Sequence, residues 1–208
     1  MKKILTSFIT LSTITVSTMC WSDDNFDLLL APDVISQRIS EVAAQIDSDY
    51  EGEELAVVLI MKGAFVVAAD LVRQLHIPCT IEYVKASSYG KNGMKGGELY
   101  IDGIERLNLI GKNVLLVDDI FDTGKTMSTL VQKFQVLQPK SLKTLVLLVK
   151  DVTRTISYLP DYTMFNIKNR FVIGYGLDYK EYYRGLSGIY AFVNDTPPED
   201  LTILPEGI

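Results

Sequence analysis

The run Val114 to Thr126, VLLVDDIFDTGKT, gathers much of the chemistry this chain can offer. Apolar residues lead into the adjacent carboxylates Asp118 and Asp119, a further carboxylate follows at Asp122, and a small-residue turn closes with Thr126. Asp122, Thr123, Gly124, Lys125 and Thr126 supply successive backbone N–H groups, two hydroxyls and a glycine that permits close approach. At the positive end of a helix dipole such a turn is a phosphate cradle. Asp118 and Asp119 would repel a phosphate, but they can accept hydrogen bonds from sugar hydroxyls or hold a divalent cation through oxygen. Pair and cradle together fit a phosphorylated sugar.

Competing motifs fail on spacing. A P-loop needs glycine five residues before Gly124, where Asp119 stands. An EF-hand needs oxygen ligands at alternating positions, and Ile120 and Phe121 interrupt them. The pair Gly174 and Gly176 lacks the third glycine of a dinucleotide fingerprint. The plainer alternative is a solvated strand-to-helix turn, which acidic and small residues also suit.

The elements that must position these groups can be read from periodicity. Val114–Asp119 is a short apolar run, a buried parallel strand whose C-terminal edge carries the polar groups. Met127–Gln138 then has Met127, Leu130, Val131, Phe134 and Leu137 at helical spacing, so the turn opens a helix. Upstream, Pro32–Ser48 is an amphipathic helix with Ile35, Ile39, Val42, Ala43 and Ile46 on one face, Leu55–Ile60 a buried strand, Ala64–Leu75 a helix and Thr80–Ala86 a strand. Downstream, Thr144–Lys150 and Phe171–Tyr175 supply further strands. This alternation predicts βαβ units in an α/β fold, an open, mainly parallel sheet flanked by helices. Ligands bind such sheets at the C-terminal edge of the strands. Residues 87–106, with glycine at 90, 93, 96, 97 and 103, have no sustained period and read as a long mobile loop or a loose hairpin.

Composition sets bounds. A chain of 208 residues that is 48% apolar can bury a sizeable core as one domain, or one domain with a small appendage. A formal charge of −6 and a pI near 4.9 argue against a nucleic-acid partner. The cysteines, Cys20 and Cys79, form no metal-type pair, and the single histidine, His76, is expected at the surface in a helix-to-strand connection.

At Asp118–Thr126 the chain resembles the phosphoribosyl pyrophosphate (PRPP) signature of the type I phosphoribosyltransferases. The wider chain, from about Asp27 to Asn194, is similar to the hypoxanthine-guanine members of that family. The likeness rests on LIMKGAF (Leu59–Phe65), KASSYG (Lys85–Gly90), the PRPP run, and LLVK followed by RFVIGYGLDYKEYYRGL (Arg170–Leu186), in that order. It implies the type I phosphoribosyltransferase fold, with a long mobile loop and a small hood. It also implies a magnesium-dependent transfer from PRPP to a 6-oxopurine base, hypoxanthine and also guanine, with release of pyrophosphate.

The resemblance assigns roles residue by residue. Asp118 and Asp119 would hold the ribose hydroxyls, directly or with magnesium; the family usually carries Glu at the first position, so Asp118 is one methylene shorter. Asp122 would lie beside N7 of the purine and exchange its proton, with Thr123, Gly124, Lys125 and Thr126 on the phosphate. Lys150 would donate to the exocyclic O6 and so select against adenine, whose amino group cannot accept that bond. Phe171 would stack on the base and Val172 offer backbone groups to its edge. Asp178 would serve a magnesium ion and the base site, and Arg184 the pyrophosphate. Lys62 and Gly63 would present a backbone N–H to pyrophosphate after a cis Met61–Lys62 peptide, and Ser88 and Tyr89 would open a loop that closes over the reacting centre. By residue type alone Asp122 is a helix N-cap, Lys150 a snorkelling surface group, Phe171 and Val172 core, and Asp178 and Arg184 surface charges.

The N-terminus reads two ways. Met1–Lys3 followed by the uncharged Ile4–Met19 and the small-residue end at Cys20–Ser22 resembles a secretory signal, although its many Ser and Thr keep its hydrophobicity modest. Met19 can also be the true start. Residues 1–22 are therefore set apart as an extension, with 23–208 as the transferase domain. A cytoplasmic location is expected because PRPP is an intracellular metabolite; export is the alternative. No other stretch is a candidate membrane span. The family suggests a homodimer or homotetramer. Beside the enzyme stand two other readings, a PRPP-sensing regulator without turnover and an exported host-directed protein.

Overall fold

The structure is a computed structural model that describes residues 25–88, 99–154 and 156–193. Along the chain run β1 (Phe26–Leu30), α1 (Pro32–Asp49), β2 (Leu55–Met61), α2 (Phe65–Val72), β3 (Cys79–Ser88), β4 (Leu99–Asp102), a 3-10 turn at Ile104–Arg106, β5 (Asn113–Phe121), α3 (Lys125–Gln135), β6 (Ser141–Asp151), β7 (Tyr162–Lys168), β8 (Val172–Ile173) and β9 (Ile189–Phe192).

The main sheet has the order β4-β3-β2-β5-β6-β7. Its β2, β3, β5, β6 and β7 are parallel, and only β4 runs against its neighbour. The apolar runs of β2, β5 and β6 are buried on both faces because helices cover both. Val57, Leu59, Leu115 and Val117 pack under α1 and α2. Their alternating neighbours Val58, Val114 and Leu116 pack under α3 through Met127, Leu130 and Phe134. The buried face of α1 is Ile35, Ile39, Val42, Ala43 and Ile46, as its spacing predicts, with Pro32 in the first turn.

Chain order reverses between β2 and β5. From β2 the chain winds outward to β3, then returns to place β5 on the other side of β2 and continues outward to β6 and β7. The C-terminal ends of β2 and β5 therefore flank the crevice where an open parallel sheet binds ligands.

Several boundaries differ from the sequence reading. The strand predicted at Val114–Asp119 continues through Ile120 and Phe121, which stay in register with Leu148 and Val149 of β6, so the acidic pair lies inside the strand. The helix after it begins at Lys125 and ends at Gln135, and α2 stops at Val72 rather than Leu75. The Phe171–Tyr175 strand is shorter and does not join the main sheet. Val172 and Ile173 pair with β9, and β9 with β1, in a separate antiparallel sheet of order β1-β9-β8. That sheet is the hood, and Phe26, Ile173, Tyr183, Tyr190 and Phe192 form its core. The segment read as a loop or loose hairpin contains a hairpin ladder, Lys85–Ser88 against Leu99–Asp102. Tyr89 and the N-terminal residues 1–22 lie outside the described residues. Among the described residues no helix is long and apolar enough to cross a membrane.

Candidate active site

Lys62 and Gly63 leave the end of β2 across a cis Met61–Lys62 peptide, as expected. Gly63 is buried against the acidic pair: a Cβ built on it would lie 1.6 Å from Asp119 Oδ2. No other residue type fits there without moving that carboxylate. Gly176 of the hood, at φ 99°, also packs against this turn, and a Cβ on it would lie 2.2 Å from the Gly63 carbonyl oxygen. Close packing at the two glycines thus links hood, turn and acidic strand.

Asp118 is buried, and its Oδ1 accepts the Asp119 N–H at 3.0 Å. Burial, and then the charge of Asp119, raise its carboxyl well above the ordinary aspartate range. Burial also raises Asp119, although its hydrogen bonds and the charge of Arg184 pull the other way. A buried carboxyl and a half-buried one beside it, which resist ionising together, are stabilised by a divalent cation. The donor set thus fits magnesium, which commonly takes one or two carboxylates and completes its shell with water and substrate phosphate. Among the described residues no group of three His, Cys, Asp or Glu side chains gathers as a metal cage. Asp178 does not join the pair; its carboxylate accepts from Arg184 at 2.8 Å and from the Glu181 N–H at 2.9 Å.

Arg184 is mostly buried, with a side chain 18% exposed. Its Nη1 donates to the Gly176 carbonyl at 2.7 Å, and its Nε is buried with no hydrogen-bond partner among the described residues. An orphan guanidinium donor of this kind suits an incoming anion. Lys62 Nζ donates to Glu181 Oε2 at 2.6 Å, and Arg184 Nη2 stands 3.5 Å from the same oxygen.

The phosphate turn joins β5 to α3. Gly124 is the N-cap at φ 79°, and a Cβ there would meet Ile156 Cδ1 at 2.3 Å and the Phe121 ring at 2.5 Å. No side chain caps α3, so the N–H groups of its first turn remain for a ligand. Asp122 is exposed two residues before the cap and is not consumed as an N-cap, the plainer role its residue type allowed. Thr123 and Lys125 are exposed and Thr126 half-buried.

Lys150 is the half-buried penultimate residue of β6, on the same sheet edge. Arg154, which sequence reading passed over, ties it to the phosphate turn. The Arg154 Nε donates to the Asp122 carbonyl at 3.0 Å, another guanidinium nitrogen donates to the Lys150 carbonyl, and the group lies 5.3 Å from the Phe121 ring centre. A lone cation in a polar stretch carries no periodic or motif signal, so only the tertiary structure finds it. In the hood Phe171 is half-buried, edge-on to Tyr179 with ring centres 5.8 Å apart, and Val172 is buried opposite Ala191. Ser88 is the last residue of β3.

A cavity of about 640 Å³ between α1, α2 and the hood reaches the site at Arg184, with Phe65, Asp70 and Tyr175 in its lining. Another of about 450 Å³, at the N-terminal edge of the strands, is lined by residues such as Glu53, Asn113 and Lys140 that bond to one another. The candidate site residues Lys62, Asp119, Asp122 and Lys150 lie along the opposite edge, at the C-terminal ends of β2, β5 and β6.

A twisted parallel sheet with a carboxylate pair and an uncapped phosphate turn at its switch point is the arrangement of a phosphoribosyl transferase domain, and the pattern of that domain family matches residues 29–180. The hypoxanthine-guanine phosphoribosyltransferase of Aquifex aeolicus (strain VF5) is 41% identical over 164 residues, covering 78% of this chain and 92% of the relative. That of Homo sapiens is 33% identical over 178 residues, covering 81% and 82%. A solved hypoxanthine-guanine phosphoribosyltransferase from Bacillus anthracis is 40% identical with a TM-score of 0.71, covering 80% of this chain and 98% of that one. A Trypanosoma cruzi hypoxanthine phosphoribosyl transferase reaches a TM-score of 0.77 at 35% identity, covering 85% and 96%. The chain belongs to the hypoxanthine-guanine phosphoribosyltransferase family.

Proposed function

We propose that this protein is a purine-salvage transferase that moves the phosphoribosyl group of PRPP to hypoxanthine and guanine, giving IMP or GMP and pyrophosphate. The observation that carries the reading is the meeting, along one sheet edge, of the adjacent carboxylates Asp118 and Asp119, the uncapped phosphate turn and the orphan donor of Arg184. Displacing pyrophosphate from a ribose carbon builds positive charge on the sugar and negative charge on the leaving group. In our reading Asp118 and Asp119 face the sugar and hold magnesium, whose chemistry is to offset the charge of the leaving pyrophosphate. Arg184, Lys62 and the Gly63 turn take the pyrophosphate, and Thr123, Gly124, Lys125 and Thr126 take the 5′-phosphate. Asp122 handles the N7 proton, Lys150 reads O6, Phe171 and Val172 contact the base, and Asp178 holds Arg184 in place and contributes to the base and metal environment. Ser88 and Tyr89 open the covering loop.

Residues 23–208 form the transferase domain in this reading, and the reaction runs in the cytoplasm, where PRPP is made. The protein is also read as a homo-oligomer; the Trypanosoma cruzi relative is itself described in terms of an oligomeric state. A sensor that binds PRPP without turnover finds no support among the relatives.

The test is product formation from PRPP, magnesium and each of hypoxanthine, guanine, xanthine and adenine. Nucleotide is expected from the 6-oxopurines and not from adenine. Asp122→Asn should lower kcat by about 10²–10⁴-fold, the worth of a general acid or base, while leaving PRPP affinity nearly unchanged. Retained PRPP binding with no product from any base would overturn the enzymatic reading.

A further inference from the structure

Lys62 and Arg184 approach one another from opposite parts of the fold, the end of β2 and the hood, and what stands between them is the carboxylate of Glu181. Its Oε2 is 2.6 Å from Lys62 Nζ and 3.5 Å from Arg184 Nη2. One oxygen thus faces both cations that the proposed function gives to pyrophosphate, in the way a phosphate oxygen would. Asp178 accepts from the same Arg184 Nη2 at 2.8 Å and is itself held by the Glu181 N–H, so its carboxylate braces the arginine. Glu181 differs in being tied down only at its tip. Its side chain is 63% exposed, that of Lys62 is 51% exposed, and the residue sits at φ 72° among further left-handed positions at Lys180 and Tyr183. A side chain so exposed can leave without disturbing the core.

We propose that Glu181 is an internal competitor of pyrophosphate, occupying the anion position between Lys62 and Arg184 until the substrate or product displaces it. The inference rests on the assignment of Lys62 and Arg184 to pyrophosphate made above. Displacement breaks the Lys62–Glu181 pair and returns the carboxylate to water, so part of the gross binding energy of each incoming pyrophosphate is offset. The same contact favours departure of the product, because Glu181 re-forms its pair as pyrophosphate leaves. The residue therefore sets affinity and release rate for the anion and leaves the chemistry at the ribose carbon untouched.

The experiment titrates magnesium pyrophosphate by calorimetry into the full-length protein and its Glu181→Gln, Lys62→Met and doubly substituted forms. Gln keeps the size of Glu and removes the charge. The expected result is that Glu181→Gln binds pyrophosphate about three- to fivefold more tightly, the scale of one exposed ion pair. Lys62→Met should bind more weakly, and the gain from Glu181→Gln should shrink when Lys62 is also replaced. Unchanged or weaker binding by Glu181→Gln, with Lys62→Met weakened, overturns the competitor and makes Glu181 a strut for the Lys62 turn. Wild-type affinity in both single variants instead removes pyrophosphate from this pair of cations, and with it the assignment on which the inference stands.

Discussion

Asp118 and Asp119 carry an unfavourable electrostatic arrangement that a bound cation would relieve. Asp118 is held above its ordinary range first by burial and then by its neighbour's charge. A carboxyl whose folded value is raised destabilises the fold in its charged form. The penalty is absent below the unfolded value near pH 4, grows as pH rises toward the folded value, and stays in full above it. Asp118→Asn should therefore raise the melting temperature of the metal-free protein at pH 7, by about 2–4 °C for each kcal/mol relieved, and change it little at pH 4. Scanning melts in chelator at the two pH values checks this, and an equal shift at both would deny that charge is the cause. The adjacency of the pair is plain in the sequence, whereas the burial behind this behaviour is not. Gly63 presses on Asp119 from a segment far away along the chain, and only the folded contact shows why glycine is needed there.

At the scale of elements, strands with both faces covered were legible because continuous apolar runs have few other uses. The turn after β5 was legible from its residue types. The hood was legible only through family resemblance. Its strands are short, β8 has two residues and β9 four, and β1 and β9 pair residues from opposite ends of the described chain. No local period announces such a pairing. The same applies to Arg154, which fastens the carbonyl of Asp122 at one element's end to that of Lys150 at another's. Losing it frees the phosphate turn from the strand that carries the base-reading lysine, and misplacement of order 1 Å can cost as much as 10²-fold. Arg154→Ala should lower kcat/KM for hypoxanthine by about 10- to 100-fold, with guanidinium ion in solution restoring part of it. A melting temperature within a few degrees of wild type would separate this from general unfolding. Full activity in the variant would show that the two elements hold their positions unaided.

At the scale of the whole molecule, the described residues leave one face of the main sheet incompletely covered. Ile81 and Tyr83 of β3 lie in register with Val57 and Leu59 of β2, which are buried under α1 and α2. By the alternation of a strand they point to that same helix side. Yet α2 has only eight residues, and it leaves Ile81 58% and Tyr83 61% exposed. Tyr100 of β4, opposite Ser87, extends the row at 56%, and Phe65 at the start of α2 is 40% exposed. Single exposed apolar residues are ordinary, but Ile81 and Tyr83 stand side by side on one strand face, with Tyr100 beyond the Lys85–Asp102 pair, and together they are a candidate interaction surface. Within the homo-oligomer proposed above, the occupant we propose for this face is a second copy of the chain. Sedimentation equilibrium should then give at least twice the chain mass of 23.3 kDa at micromolar concentration. Tyr83→Glu, by placing a charge at the centre of the row, should shift the protein to the single-chain mass with little loss of fold. A wild-type monomer, or a Tyr83→Glu variant of unchanged mass, would place the contact between copies elsewhere and leave this row as an edge that β4 alone protects.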